Sequence, residues 1–275
     1  MEPKLHTHPA MVLPSPPHAP PEPDPLEQEL RASLVAHRPV PDADFDSLLP
    51  ARPRIRSASF WSAVEVAQTA SRWLTTAGAT RVLDVGSGVG KFCTIAALST
   101  ARLVWGLELR AELVAVSRQL AHRLRAQVEI LEEPMESLDV SRFDGFYFFN
   151  PFAEHLMEPV ERYDDQFPAS PDGFLRDVST VERWLRAAPL GTAMVTYNGL
   201  GGRIPLSWKV EKSRLVGGDY LRLWVKRTAS EDLSDALIEL NEHLVSARQL
   251  AGLIRGKDPR VRGNPLVARL VAGFS

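Results

Sequence analysis

The stretch Arg81 to Phe92, reading RVLDVGSGVGKF, decides the fold. Val82, Leu83 and Val85 form a short apolar run with the β-branched bias of a buried strand. Gly86, Gly88 and Gly90 end it with a turn that few side chains would fit. From Lys91 the pattern becomes helical, because Phe92, Ile95, Ala96 and Leu98 fall near one face. A strand therefore runs into a glycine loop, and the loop delivers the chain to a helix N-terminus whose free amides suit a polar ligand.

The spacing G-S-G-V-G departs from the G-x-G-x-x-G dinucleotide fingerprint, and Asp84 stands just ahead of it. A carboxylate there disfavours phosphate and suits a cationic ligand end, an ammonium or sulfonium, with Gly86 and Gly88 letting the backbone come close. A second apolar strand follows in Arg102 to Leu109, RLVWGLEL. Glu108 lies at its carboxyl end, where a carboxylate can accept both ribose hydroxyls of a nucleoside. The ligand implied is an amino-acid end joined to a nucleoside.

A third strand, Val128 to Leu131, leads into the turn EEPME, and a fourth, DGFYFF over Asp144 to Phe149, leads into Asn150-Pro151-Phe152. These residues resemble the class I S-adenosylmethionine-dependent methyltransferases: Asp84, Gly86, Gly88 and Gly90 in the first motif, Glu108 in the second and Asn150-Pro151-Phe152 in the fourth. VLDVGSGVGKF, FYFFNPF and VTYNGLGG are further similar to a bacterial branch of that superfamily, and the likeness covers roughly Ser59 to Arg227. It implies an α/β, Rossmann-like, seven-stranded sheet, mostly parallel with the last strand antiparallel, and helices on both faces. It also implies S-adenosyl-L-methionine as cofactor, with Asp84 and the loop Gly86, Ser87, Gly88 and Gly90 on the methionine end and Glu108 on the ribose.

Two positions depart from the superfamily's pattern. An acidic side chain after the third strand usually meets the adenine amino group, but the aligned position is Pro134. Either Glu133 takes over by a one-residue shift, or a backbone amide near Met135 reads the base. In some amine methyltransferases an N-P-P-[YF] motif grips the substrate nitrogen, and this chain reads N-P-F. By that resemblance Asn150 and the Pro151 carbonyl hold a nitrogen acceptor while Phe152 packs on it; the competing reading is that Asn150 ties the loop down and Phe152 fills core. Asn150 is also expected beside the cofactor's transferable methyl, since the first and fourth strands end side by side at the switch point. His155 and Tyr163, in the long connection from Glu154 to Phe174, are the acid–base candidates, against a solvated lid. Tyr197 and Asn198, at the end of the fifth strand, are within reach of the acceptor.

The 275 residues, 44% hydrophobic, suffice for one large α/β domain with appendages. A net charge of −2 argues against a dedicated nucleic-acid binder. Cys93 is the single cysteine and reads as a small buried thiol. With no signal-peptide pattern and no membrane span, a cytoplasmic location is expected. His6, His8 and His18 lack supporting ligands at useful spacing, so no metal is expected.

Residues 1–25 hold nine prolines and read as a disordered tail. Residues 26–58 read as a helix over Pro25 to Ala36 followed by a turn-rich connector, with Ser57 or Ser59 capping a helix that starts at Phe60. Phe60 and Trp61 read as core, with the acceptor pocket as their second role. Residues 59–228 form the catalytic domain, closed by a hairpin over Ser207 to Leu215 and Tyr220 to Lys226. Residues 229–275 form a helical extension built on Leu233 to Ile254 with a basic end.

The expected activity is methyl transfer to nitrogen, in preference to oxygen, of a small molecule or protein. The rivals are a scaffold that binds the cofactor without chemistry and a nicotinamide-dependent oxidoreductase.

Overall fold

The computed structural model describes residues 24–165 and 168–229. The proline-rich stretch up to residue 23 and the helix and basic end expected beyond residue 229 lie outside the described residues.

Seven strands form one sheet in the order β3-β2-β1-β4-β5-β7-β6: β1 (Val82–Val85), β2 (Val104–Leu107), β3 (Val128–Leu131), β4 (Gly145–Phe149), β5 (Ala193–Tyr197), β6 (Trp208–Val216) and β7 (Asp219–Lys226). All neighbours are parallel except the pairs β5/β7 and β6/β7, so β7 alone runs against the rest. The chain moves outward from β1 to β3, then returns to the other side of β1 for β4. That reversal puts the switch point between β1 and β4, where their carboxyl ends leave a crevice.

Side chains alternate across β1. Leu83 and Val85 point into a core shared with Phe146, Phe148, Met194 and α7 (Pro171–Ala187). Asp84 points the other way, toward α5 (Lys91–Thr100), in register with Gly106 on β2 and Tyr147 on β4. On that face α4 (Val64–Thr76) packs beside α5, while α6 (Ala111–Arg123) lies against β3 and α5. The hairpin of β6 and β7 carries Leu221, Leu223 and Val225 into the α4 side of the core.

The N-terminal part differs from the connector expected of it. After α1 (Pro25–Val35), capped by Asp24 accepting from the Leu26 amide at 2.8 Å, come α2 (Asp42–Asp46) and α3 (Ala51–Phe60). Pro53 does not stop α3 because it lies in the first turn, whose amides have no partner within the helix. Ser57 is therefore interior to α3 and buried. The helix expected from Phe60 starts at Val64, whose amide donates to Oδ1 of Asp42 at 2.9 Å. That cap comes from 22 residues away in sequence, outside the window in which local capping signals can be read.

Candidate functional site

Asp84 ends the central strand in a buried setting, 4% exposed. Among the described residues its side-chain donor is the Cys93 thiol, 3.4 Å from Oδ2. Burial pushes the carboxyl from its ordinary 3.8 up to about 7; the thiol opposes this weakly and the charge of Glu108 adds to it. Tyr147 stands beside it on β4, stacked on Phe92 with ring centroids 3.8 Å apart, its hydroxyl 2.6 Å from that of Ser62. Burial raises the Tyr147 phenol further above its usual range.

The glycine turn follows with φ of +75°, +54° and +70° at Gly86, Gly88 and Gly90, a backbone that other L-residues adopt only with strain. Each glycine is closely approached. A methyl group on Gly86 would lie 3.1 Å from Cβ of Pro151, one on Gly88 would collide with the indole of Trp61, and one on Gly90 with Oγ of Ser117 on α6. The Ser87 side chain tucks against Gly106 on β2, its hydroxyl buried without a hydrogen-bond partner.

Glu108, at the end of β2, is buried as well. Its Oε2 accepts from the Gly88 amide at 3.0 Å, and its Oε1 accepts from the Leu109 and Arg110 amides at 2.9 Å each. Burial raises its pKa, opposed by those amides and by the Arg110 charge. A carboxylate offers about four acceptor positions. Three are taken by backbone amides, so Glu108 as placed has room for about one ligand hydroxyl rather than two.

A small cleft opens at the ends of β1 and β4, lined by Asp84, Gly86, Ser87 and Lys91 together with Phe60, Trp61, Ser62 and Phe149. Its roof comes from two directions. The α2–α3 segment is fixed by Lys91, only 2% exposed, whose Nζ lies 2.7 Å from Oδ1 of both Asp42 and Asp46. The connection after β4 contributes Tyr163, whose ring meets Phe60 and Trp61 at 5.9 and 5.7 Å and lies under the guanidinium of Arg52.

Sequence reasoning is met unevenly here. Asp84, Gly86 and Ser87 line the cleft; Gly88, Gly90, Glu108 and Pro151 gather at the same end of the sheet but, like Asn150, are not part of its lining. Asn150 adopts φ +42° and donates its amide to the Gly199 carbonyl at 3.3 Å. Phe152 is buried in the opposite core with Leu83 and Phe148, off the cleft lining, because the turn at Asn150 sends the chain down the α7 side. Met135 is buried in that core too, and neither it nor Glu133 lines the cleft.

His155 turns from the cleft to α7, with Nε2 at 2.8 Å from Asp177 and Nδ1 accepting from the Ser170 amide. That network removes it from the acid–base candidates. The Tyr163 hydroxyl is buried without a hydrogen-bond partner, and burial raises its pKa. Tyr197 donates its hydroxyl to the Val216 carbonyl at 3.1 Å and is thereby tied to the β6–β7 turn. Missed in the sequence were Lys91, Ser62 and Tyr147; a lysine directly after a glycine turn, with three aspartates in a short helix upstream, two of which meet it, was the available signal. Among the described residues no group of three or more His, Cys, Asp or Glu side chains could hold a metal, and no helix is long and apolar enough to cross a membrane.

No protein-family model and no curated protein matches the chain. Solved structures do. A putative O-methyltransferase from Klebsiella pneumoniae matches at 16% identity over 74% of this chain and 91% of its own, with a TM-score of 0.47. An RNA methyltransferase from Salinibacter ruber, in complex with S-adenosyl-L-homocysteine, matches at 17% identity over 60% of this chain and 95% of its own, with a TM-score of 0.41.

Proposed function

We propose that the chain binds S-adenosyl-L-methionine at the carboxyl ends of β1, β2 and β4 and transfers its methyl group to a nitrogen, in preference to an oxygen, of a small molecule or protein. The observation that carries this reading is Asp84: a buried carboxylate held by one thiol, beside a left-handed glycine turn and a second carboxylate. Such a group costs free energy when ionised unless a cation meets it, and an amino-acid ammonium is the cation that this position suits. Phosphate would meet the Asp84 carboxylate, and the cation that lines the cleft among the described residues, Lys91, is already paired with Asp42 and Asp46, which argues against a nucleotide with a pyrophosphate.

When bound, the cofactor supplies a methyl group already activated on a sulfonium. The protein's task is then positioning and exclusion of water, and alignment alone can contribute on the order of 7 to 11 kcal/mol. Asp84 would hold the ammonium, Gly86 to Gly90 would allow close backbone approach, and Glu108 would take a ribose hydroxyl. Asn150 and the Pro151 carbonyl, at the rim beside Gly86, would orient the acceptor. Calorimetry with S-adenosylhomocysteine and NAD tests the ligand: binding of the first and not the second is expected, and the reverse outcome would make the protein an oxidoreductase.

A second reading, a protein that binds the cofactor without transferring the methyl, is favoured by one observation: Phe152 lies in the core rather than at the cleft. Transfer of label from methyl-labelled cofactor to a cell lysate separates the two, since a pure binder shows affinity without turnover.

A further inference from the structure

Trp61 covers the glycine turn at the residue that links the turn to Glu108. Its indole lies directly on Gly88, the residue whose amide donates to Oε2 of Glu108. A ligand lying along the turn at Gly88 would meet the ring. Glu108 is itself engaged by three backbone amides, one of them that of Gly88, the residue on which the indole lies.

The ring is held by contacts that can be exchanged. Its Nε1–H donates to the Pro53 carbonyl at 3.0 Å, and Phe60 and Tyr163 touch it at centroid distances of 5.8 and 5.7 Å. Trp61 itself belongs to neither helix; with φ −116° and ψ 140° it forms the extended link between the end of α3 and the start of α4. A rotation there moves the ring without unwinding either helix. Tyr163 belongs to the connection after β4, which α3 also grips through Arg52 on the Tyr163 carbonyl at 2.9 Å and Arg56 on the Arg162 carbonyl at 2.7 Å. Movement of Trp61 is thereby tied to movement of that connection. Lys91, in the first turn of α5, holds α2 through Asp42 and Asp46.

We propose that Trp61 is a gate on the cofactor groove, closed over Gly88 and displaced from it, with loss of its contact to Tyr163, when a nucleoside-bearing ligand enters. This rests on the reading that the cleft takes S-adenosylmethionine. A gate that is mostly closed lowers the apparent affinity by the fraction of open molecules and limits entry to the opening rate.

The test uses the full chain in stopped-flow binding of S-adenosylhomocysteine. In the unaltered protein the observed rate should level off as ligand rises. In Trp61→Ala it should rise linearly and exceed the unaltered rate by about tenfold or more. Tyr163→Ala, which touches the ring but not the turn, should shift the rate in the same direction by less. Circular dichroism establishes that each variant is folded.

Amide hydrogen exchange across Gly86 to Gly90, without ligand, supplies a second readout. Trp61→Ala should exchange faster there by about tenfold or more. An association rate in Trp61→Ala no faster than in the unaltered protein, or unchanged exchange at the turn, overturns the gate. Faster exchange with no binding of S-adenosylhomocysteine by either protein leaves Trp61 as the cover of the turn and removes the proposed cofactor.

Discussion

The thiol of Cys93 on α5 points at Oδ2 of Asp84 on β1 from 3.4 Å, a weak bond to a carboxylate that is almost wholly buried. A sulfur donor cannot replace the hydration that burial removes. The carboxyl is pushed up to about 7 as a result, and the charge on Glu108 reinforces the shift. Near neutral pH, Asp84 is therefore poised between its two forms, and a cation brought to it decides which one prevails.

An ammonium bound at Asp84 favours the ionised carboxylate, so below about pH 7 binding must release a proton. Affinity for S-adenosylhomocysteine should rise about tenfold per pH unit as the pH is raised toward 7, then flatten. Calorimetry between pH 5.5 and 8 in buffers of different ionisation enthalpy measures both the slope and the released proton. A flat profile over that range would detach Asp84 from the ligand.

The same shift has a consequence for stability with the opposite sense. The folded pKa lies above the ordinary 3.8, so between about pH 4 and 7 the folded chain holds a proton that the unfolded chain has lost. Stability contributed by Asp84 falls as the pH rises through that window. Asp84→Asn should melt higher than the unaltered protein at pH 8, should lose that advantage near pH 4, and should not bind S-adenosylhomocysteine. Thermal melts at the two pH values check it; a variant that is less stable at pH 8 would mean the carboxylate serves the fold.

Lys91→Met should destabilise the protein by about 3 kcal/mol, because it leaves Asp46 buried opposite no cation. Asp42 adds little to that cost, since its side chain is 47% exposed and water screens it. Urea unfolding measures the loss. The double variant with Asp46→Leu should recover much of it; no recovery would mean that the ammonium matters through packing on Phe45 rather than through charge.

Glu108→Gln keeps the shape of the side chain but turns one acceptor oxygen into a donor. Whichever end carries the NH₂ then faces a backbone N–H, so the loss should be about 1 to 3 kcal/mol of fold stability as well as weaker ligand binding. A melt and a binding isotherm on the same sample separate the two. Weaker binding with an unchanged melt would place the ligand, not the turn, as the chief partner of Glu108.

The individual strands, the glycine turn and the two strand-end carboxylates were legible because each is written locally: apolar runs of strand length, glycines where φ is positive, an acid at a strand end; the mostly parallel sheet was implied by the resemblance, not by any local pattern. What failed to show has a common cause in distance along the chain. Asp42 capping α4, Lys91 reaching α2, and Trp61 lying on Gly88 are all contacts between segments 22 to 49 residues apart. The stretch before Phe60 read as a turn-rich connector, yet Pro53 falls in the first turn of α3, where it breaks no hydrogen bond within the helix. His155 carried the right chemistry for an acid–base role, but the Asp177 that claims it lies on α7, outside any local pattern.

Asn150 separates positioning of the acceptor from support of the loop, because its backbone and side chain can be altered independently. Its φ of +42° makes Asn150→Ala strained by about 1 kcal/mol, so that variant alone confuses loss of the amide with loss of the turn. Asn150→Gly keeps the turn, its amide still donating to the Gly199 carbonyl, and removes only the side chain. It should leave S-adenosylhomocysteine affinity within about twofold and lower the rate of methyl transfer by about tenfold or more, the loss expected when a reacting group is no longer held in line. An equal loss of binding and transfer in Asn150→Gly would show that the side chain holds the loop against the cleft and does not meet the proposed acceptor.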